Sequence, residues 1–194
     1  AKLMATATYT SLLTGLVASV FVARGLGPDD YGVYSYVVWL ASVCIGLTSN
    51  GINMTAIVFV AQATGRADQQ QARGVHHWLR RFQWLSLFGV SGLLLLSTLL
   101  PSIYPIGMQS HLVFFIVIAM VCSGAKALYA FFASISKGYS FFATEALTTS
   151  SIGAATLFGT GVLYWCKQDL SAYFYLFTLS CVAHPVMASY LMRR

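Results

Sequence analysis

The stretch "ARGLGPDDYGVYS", residues 23–35, lies between two long apolar runs of the chain. Its Gly27–Pro28 pair stands in the order that ends a helix, because glycine adopts left-handed backbone angles and proline cannot continue the helical hydrogen bonds. Asp29 or Asp30 can then cap the helix that follows. The stretch therefore predicts a tight hairpin between two apolar helices.

The composition indicates an integral membrane protein. Charged residues make up 8% of the 194 residues, against about 25% in soluble domains, and the mean hydropathy is +0.73. A soluble chain of this length needs a more polar exterior than the sequence can provide. The net charge of +6 does not indicate a nucleic-acid partner, because the basic residues form no stripe and fall in the gaps between apolar runs.

Six segments have the roughly 20 mostly apolar residues that a spanning helix needs. The sequence therefore predicts an all-α membrane bundle of six transmembrane helices, with Gly32 packed closely against a neighbouring helix. A polar stretch at 64–84 separates the second and third segments and is expected to form a short cytoplasmic helix or loop with a basic interfacial face. The predicted spans are about 4–24, 33–62, 82–101, 112–136, 141–165 and 171–192.

The Lys and Arg residues predict the orientation of this bundle. With a cytoplasmic N-terminus, eight of them lie inside and two outside, as the positive-inside rule requires. We therefore expect a multi-pass protein of the inner membrane with both chain ends cytoplasmic. The inside group is Lys2, Arg66, Arg73, Arg80, Arg81, Lys137, Arg193 and Arg194, and the outside group is Arg24 and Lys167.

The polar residues inside the predicted spans are the candidate binding residues. Lys126 lies near the middle of the fourth span, where an ionisable group is costly and faces the bundle interior or a water-filled cavity. Tyr129 belongs to the same small and polar helix face. The alternatives for Lys126 are a structural pairing with a buried acid or carbonyl, and snorkelling toward the cytoplasmic interface. Asn50 and Asn53 share a face of the second span and either hydrogen-bond to neighbouring helices or line a cavity.

Three further residues have two interpretations each. Glu145 is either a coupling carboxylate or a favourable charge at the start of a helix. His184 either titrates near neutral pH or belongs to a helix kink at Pro185. Arg24 either binds lipid phosphates or anchors its helix at the membrane edge.

The sequence predicts no enzyme, cofactor or metal site. Motifs of hydrolases, metalloproteases and nucleotide-binding loops are absent. His76 and His77 are adjacent, and adjacent residues do not face one another on a helix. The four cysteines are single and scattered, so they form neither a metal motif nor a disulfide framework.

The hairpin resembles the first loop of the polysaccharide flippases, which belong to the multidrug/oligosaccharidyl-lipid/polysaccharide exporter superfamily. The continuation "SNGINMTAIVFVAQ", residues 49–62, is similar to the second helix of that family. The hairpin residues that carry the resemblance are Arg24, Leu26, Gly27, Pro28, Asp29, Asp30, Tyr31 and Gly32.

The resemblance implies a transporter of about 12 to 14 helices in two lobes that rock against one another. Such proteins flip undecaprenyl-pyrophosphate-linked oligosaccharides, the units of O-antigen, capsule or exopolysaccharide, between leaflets. The chain starts with Ala and stops after an apolar segment, so we expect an N-terminal lobe whose partners are the C-terminal lobe, membrane lipids and the lipid-linked substrate. A cation-coupled multidrug exporter of the same superfamily and a non-transporting scaffold of a polysaccharide synthesis complex are the alternatives.

Overall fold

The fold is entirely helical in the part of the chain that the structure describes. The structure is a computed structural model that describes residues 2–66, 69–139 and 141–192, with side chains for 8–49, 51–66, 74–139 and 141–192. Helix accounts for 91% of it, and no strand occurs in these ranges. The predicted all-α class is therefore confirmed.

The described ranges contain six α-helices and one short 3-10 turn. The segments predicted at 112–136, 141–165 and 171–192 coincide with the last three helices, and the first two segments both lie on the first helix. The helices are α1 Lys2–Gly65, α2 Gln69–Ser97, α3 Ile106–Gln109, α4 Leu112–Gly138, α5 Ala143–Trp165 and α6 Leu170–Met192, and the 3-10 turn is Pro101–Ile103.

α1 is broken at Gly27, as the sequence predicts. Gly27 has φ 75° and ψ 177°, a conformation that is essentially restricted to glycine. Pro28 follows as the first residue of the next helical stretch, where its missing N–H is not needed. The break divides α1 into an N-terminal arm, residues 2–26, and a second arm, residues 28–65.

Two local predictions for this hairpin are wrong. Asp29 and Asp30 make no side-chain hydrogen bond within the described residues; they lie inside the first turn of the second arm, where negative charge is favourable without capping. Gly32 has no neighbour within 4 Å of the position that a Cβ would take. The close approach occurs at Gly25, where a Cβ would overlap the hydroxyl of Tyr173 on α6.

The N-terminal arm runs parallel to α5. Thr14 lies 3.2 Å from the Cβ position of Gly153, and the rings of Phe21 and Tyr164 are 5.6 Å apart, so both contacts advance in the same direction along the two helices. α5 and α6 run in opposite directions, because α5 leads into α6 through a short turn and Gly159 packs against Leu176.

The second arm, α4 and α6 run parallel to one another and opposite to the N-terminal arm. Val33 lies against Gly107 just before α4 and Val60 lies against Gly138 at its end, so the second arm and α4 advance together. Cys122 lies 3.7 Å from Thr178 and Ser136 lies 3.1 Å from Met192, so α4 and α6 advance together as well.

α2 runs in the direction of the N-terminal arm. His76, near its start, contacts Phe131 near the end of α4, and Leu87 lies against Gly124, about two turns along α4 toward the other end of the bundle. The N-terminal arm, the second arm, α2, α4, α5 and α6 therefore alternate in direction along the chain.

The surface of this bundle is apolar. In the described ranges four helical stretches are long and apolar enough to cross a membrane, which indicates a membrane-embedded protein. The first of these stretches includes the break at Gly27. Six transmembrane helices are not confirmed by this count, because α2 is not among the four. The four stretches are Thr8–Ser49, Leu112–Gly138, Ala143–Trp165 and Leu170–Met192.

The interior holds two apolar clusters joined through α4. The larger cluster packs the first half of the second arm against α4 and α6, around Val37, Ile116 and Phe174. The smaller cluster packs the second half of the second arm against α2, around Ala56 and Leu79. α4 lies between the second arm and α6, so a polar side chain on α4 that points to α6 is inside the bundle.

Gly27→Ala is expected to lower the free energy of unfolding by about 1–3 kcal/mol, because alanine is strained at this backbone conformation. Gly32→Ala is the matched control: it adds the same methyl group to open space inside a helix and should be neutral or slightly stabilising. Thermal unfolding of both variants in detergent, followed by size-exclusion chromatography, measures the difference. Equal stability of the two variants would contradict the argument that the break depends on Gly27.

Candidate functional site

Lys126 on α4 and His184 on α6 form the centre of the candidate site. The Lys126 Nζ atom lies 3.0 Å from His184 Nε2 and 3.3 Å from Nδ1. His184 is 6% exposed, whereas Lys126 keeps part of its side chain accessible. The two residues are 58 positions apart in the chain and meet because α4 and α6 run side by side.

The surrounding hydrogen bonds fix the roles of the two imidazole nitrogens. His184 Nδ1 lies 2.6 Å from the Ser180 carbonyl oxygen, so Nδ1 carries a hydrogen and donates it. Nε2 of a neutral imidazole then has a free lone pair, which accepts a hydrogen bond from the Lys126 ammonium. The geometry therefore matches a charged lysine beside a neutral histidine.

Tyr129 covers the imidazole from the side of α4. Its ring centroid lies 5.0 Å from that of His184, with the ring planes at 68°, which is an edge-to-face contact. The Tyr129 hydroxyl hydrogen-bonds to Thr149 on α5 at 2.9 Å. Tyr129 thus connects α4, α5 and α6 at the level of the Lys126–His184 pair.

Polar residues continue from this pair along the seam between α4 and α6. Cys122 lies one turn before Lys126, is fully buried and donates to Thr178 Oγ1. Cys181 is 1% exposed and lies one turn before His184. The seam is therefore lined by thiol, hydroxyl, imidazole and ammonium groups inside a largely apolar bundle.

No carboxylate among the described residues pairs with Lys126. The carboxylate of Glu145 is 2.8 Å from Lys137 Nζ in a partly exposed ion pair at the end of α4 and the start of α5. Glu145 lies one turn before Thr149, the hydrogen-bond partner of Tyr129, and so borders the site without neutralising its cation.

The other predicted site residues lie apart from this cluster. Arg24 is exposed near the end of the N-terminal arm, at the opposite end of the bundle from Glu145. Asn53 is on the second arm beside Ile52, and its Oδ1 is buried without a hydrogen-bond partner. The side chain of Asn50 lies outside the described residues.

The buried amide of Gln83 was missed by the sequence interpretation. Gln83 on α2 is 1% exposed, and neither its Oε1 nor its Nε2 has a hydrogen-bond partner. Gln83 stands one turn after Leu79 and one turn before Leu87, between the levels of the two apolar clusters. Gln83 comes shortly after Arg80 and Arg81, at the start of an apolar run, and this position is typical of a residue at the membrane interface.

The pairing of α4 with α6 had a signal in the sequence that the interpretation did not use. Polar residues recur at helical spacing in both helices of a chain in which such residues are rare. On α4 they are Cys122, Lys126 and Tyr129, and on α6 they are Thr178, Cys181 and His184.

The chemistry available to this site is anion binding. An ammonium group has three N–H donors, and one of them is used by His184. The remaining donors and the uncompensated charge suit a phosphate or carboxylate group. Among the described residues no group of three or more His, Cys, Asp or Glu side chains could hold a metal ion.

Comparisons with known proteins found no match to the chain among family models, curated protein sequences or solved structures.

His184→Leu is expected to lower the free energy of unfolding by about 1–3 kcal/mol, because Lys126 loses its acceptor inside the bundle. Adding Lys126→Met should recover much of that loss, since removing both partners leaves no unsatisfied group. Unfolding of the two single variants and the double variant gives the coupling energy. The matched control is Lys167→Met combined with His184→Leu. Because Lys167 is exposed in the turn before α6, the effects of these two substitutions on the free energy of unfolding should add. Additive effects for Lys126 and His184 as well would contradict the pairing.

Proposed function

We propose that this chain is the N-terminal lobe of a flippase for undecaprenyl-pyrophosphate-linked oligosaccharide. The observation that carries the proposal is Lys126, a cation between α4 and α6 that no described carboxylate neutralises. The hairpin at residues 23–35, with its resemblance to the polysaccharide flippases, supports the same family. Lipid-linked O-antigen, capsule and exopolysaccharide units share the pyrophosphate, so the proposal does not specify the oligosaccharide.

The energy of a buried cation favours an anionic substrate. A lysine at the centre of a membrane helix costs about 2.5–3.5 kcal/mol on insertion scales. A neutral imidazole offsets only part of this cost, because it accepts a hydrogen bond without supplying negative charge. A pyrophosphate group that passes the site supplies that charge, and the partly exposed side of Lys126 gives it access.

In the proposed topology the chain crosses the inner membrane six times, with the N-terminus and residue 192 on the cytoplasmic side. The six alternating directions of the N-terminal arm, the second arm, α2, α4, α5 and α6 support this arrangement. The excess of Lys and Arg at one end of the bundle supports the orientation. A second lobe, rocking against this one, would complete the alternating-access pathway.

His184 is the proposed coupling residue. Its Nε2 atom accepts a hydrogen bond from Lys126, so this nitrogen can take up a proton only when Lys126 moves away. An anionic group that draws Lys126 toward itself would release Nε2. Proton uptake at His184 and substrate binding at Lys126 are thereby linked through one contact.

The arrangement favours a flippase over a cation-coupled multidrug exporter. A free carboxylate in the interior favours binding of a cationic drug. The acidic residue in the predicted spans is Glu145, and its carboxylate is paired with Lys137. A non-transporting scaffold does not require a cation that faces the seam between two helices.

Lys126→Ala in the full-length protein should reduce flipping roughly tenfold or more, the loss expected when a charge-assisted hydrogen bond worth about 1.5–3 kcal/mol is removed. Lys126→Arg should retain more activity because the charge persists, and Lys126→Glu should be the weakest because it repels pyrophosphate. Proteoliposomes containing a fluorescent undecaprenyl-pyrophosphate-linked oligosaccharide, with an impermeant quencher outside, report the flipping rate.

Lys167→Ala is the control, because it removes an exposed lysine outside the site. Normal flipping by both the Ala and Glu variants at position 126 would refute the proposal. Loss of folded protein in all three variants, measured by size-exclusion chromatography, would instead identify Lys126 as a structural residue.

A further inference from the structure

A groove opens between the last turns of the second arm and the first turns of α2. Its volume is about 260 Å³, and its floor is formed by Leu79, which is 1% exposed. Its walls include Phe59 and Trp78, which are 48% and 61% exposed. The groove is therefore apolar and open to the surroundings of the bundle. The lining residues are Thr55, Phe59, Gly74, Val75, Trp78 and Leu79.

Two exposed arginines flank this groove. Arg81 stands three positions after Trp78 and seven after Gly74, so it shares their helix face. Arg66 directly follows the end of α1 and stands seven positions after Phe59, two helical turns along the same face. Because α2 runs antiparallel to the second arm, Arg81 and Arg66 lie beyond opposite ends of the groove.

The sequence around the groove has a strong excess of positive charge. Residues 66–81 contain four arginines and a single acid, Asp68, which is the one acidic residue between Tyr31 and Glu145. The exposed groove wall is apolar, and the charges beside it are positive. A ligand that fits both features has an anionic head and an apolar tail.

The apolar surface continues from the groove along α2 toward the middle of the bundle. The rings of Trp78 and Phe82 stack with centroids 5.5 Å apart, and Phe82 is 52% exposed. Leu85 and Phe88 follow on the same side and are 68% and 66% exposed. This apolar stripe is long enough to contact an acyl chain. A free phosphate ion would leave the stripe uncovered.

We propose that the groove binds an anionic phospholipid. The headgroup phosphate lies at Arg66, beyond the Phe59 end of the groove, where the guanidinium supplies paired N–H donors for phosphate oxygens. One acyl chain follows Trp78 and Phe82 along α2. The site is separate from Lys126 and does not depend on the transport proposal.

Fluorescence quenching of Trp78 by brominated lipids tests this site in the full-length protein. Every tryptophan except Trp78, including Trp39, Trp84 and Trp165, is replaced by Phe, so that Trp78 reports alone. Vesicles contain phosphatidylglycerol or phosphatidylcholine with brominated acyl chains. Each arginine near a membrane surface contributes about a fivefold preference for anionic lipid, so phosphatidylglycerol should quench with at least about fivefold higher relative affinity.

Two variants assign the preference to the groove. Arg66→Gln should bring the relative affinity of the two lipids close to one. Gly74→Leu fills the groove without a clash, because no atom lies within 4 Å of its Cβ position, and should also abolish the preference. Gly89→Leu is the matched control on the same helix, with equally open space and no contact with the groove, and should leave the preference unchanged.

Three outcomes would overturn the proposal. Equal quenching of Trp78 by both lipids, in the protein without groove substitutions, would mean that Trp78 contacts bulk lipid without selecting a headgroup. Loss of the preference in excess inorganic phosphate would mean a phosphate-ion site. Protection of Trp78 from both lipids would mean that a protein segment or a second copy of the chain covers the groove.

Discussion

The backbone reversal at Gly27 is the constraint on which the rest of the structure depends. Its φ of 75° with ψ 177° is open to glycine and strained for other residues. The reversal sends the N-terminal arm along α5 and the second arm along α4, so the two arms pack on different partners. The tight contact of Gly25 with Tyr173 on α6 fixes the hairpin against the rest of the bundle. Without this reversal, the parallel set of the second arm, α4 and α6 could not form.

The parallel packing of α4 against α6 creates the candidate site. It places Lys126 opposite His184 and gives the imidazole a carbonyl acceptor at Ser180 one turn earlier on its own helix. In a lipid environment each buried polar group needs a partner within the protein, so such a seam is unfavourable unless its groups satisfy one another. The seam gives His184 its hydrogen-bond partners and leaves the Lys126 charge and two of its N–H donors without a partner, which is the physical reason to propose an anionic substrate.

Much of the fold could be predicted from local sequence. The break at Gly27–Pro28 and the extents of α4, α5 and α6 follow from apolar run length and from turn chemistry, which are properties of neighbouring residues. The start of α2 could not be located this way, because the polar residues from Gln69 onward belong to the same helix as the apolar run that follows them. The packing of Gly25, and the lack of packing at Gly32, depend on which helix lies alongside, and the sequence does not specify that neighbour.

The residues of the candidate site were predicted from the sequence, but the contacts between them were not. Lys126, Tyr129 and His184 stand out because polar residues are rare in apolar spans. Their meeting across 58 positions requires the order of helices in space. Glu145 stood out for the same reason, but its ion pair with Lys137 was not predicted. The sequence places the end of α4 and the start of α5 at the same membrane interface, and it does not give the distance between the two side chains.

The most direct test of the account concerns the sides of the membrane at which the ends of α2 lie. Single cysteines at Arg66 and Ser102, both exposed, are placed in a full-length chain whose native cysteines are replaced. An impermeant thiol reagent is then added to intact cells and to inverted vesicles. Six alternating passes predict that Ser102→Cys is labelled in intact cells and Arg66→Cys in inverted vesicles. Labelling of both positions from the same side would mean that α2 does not cross the membrane, and it would contradict the six-pass arrangement.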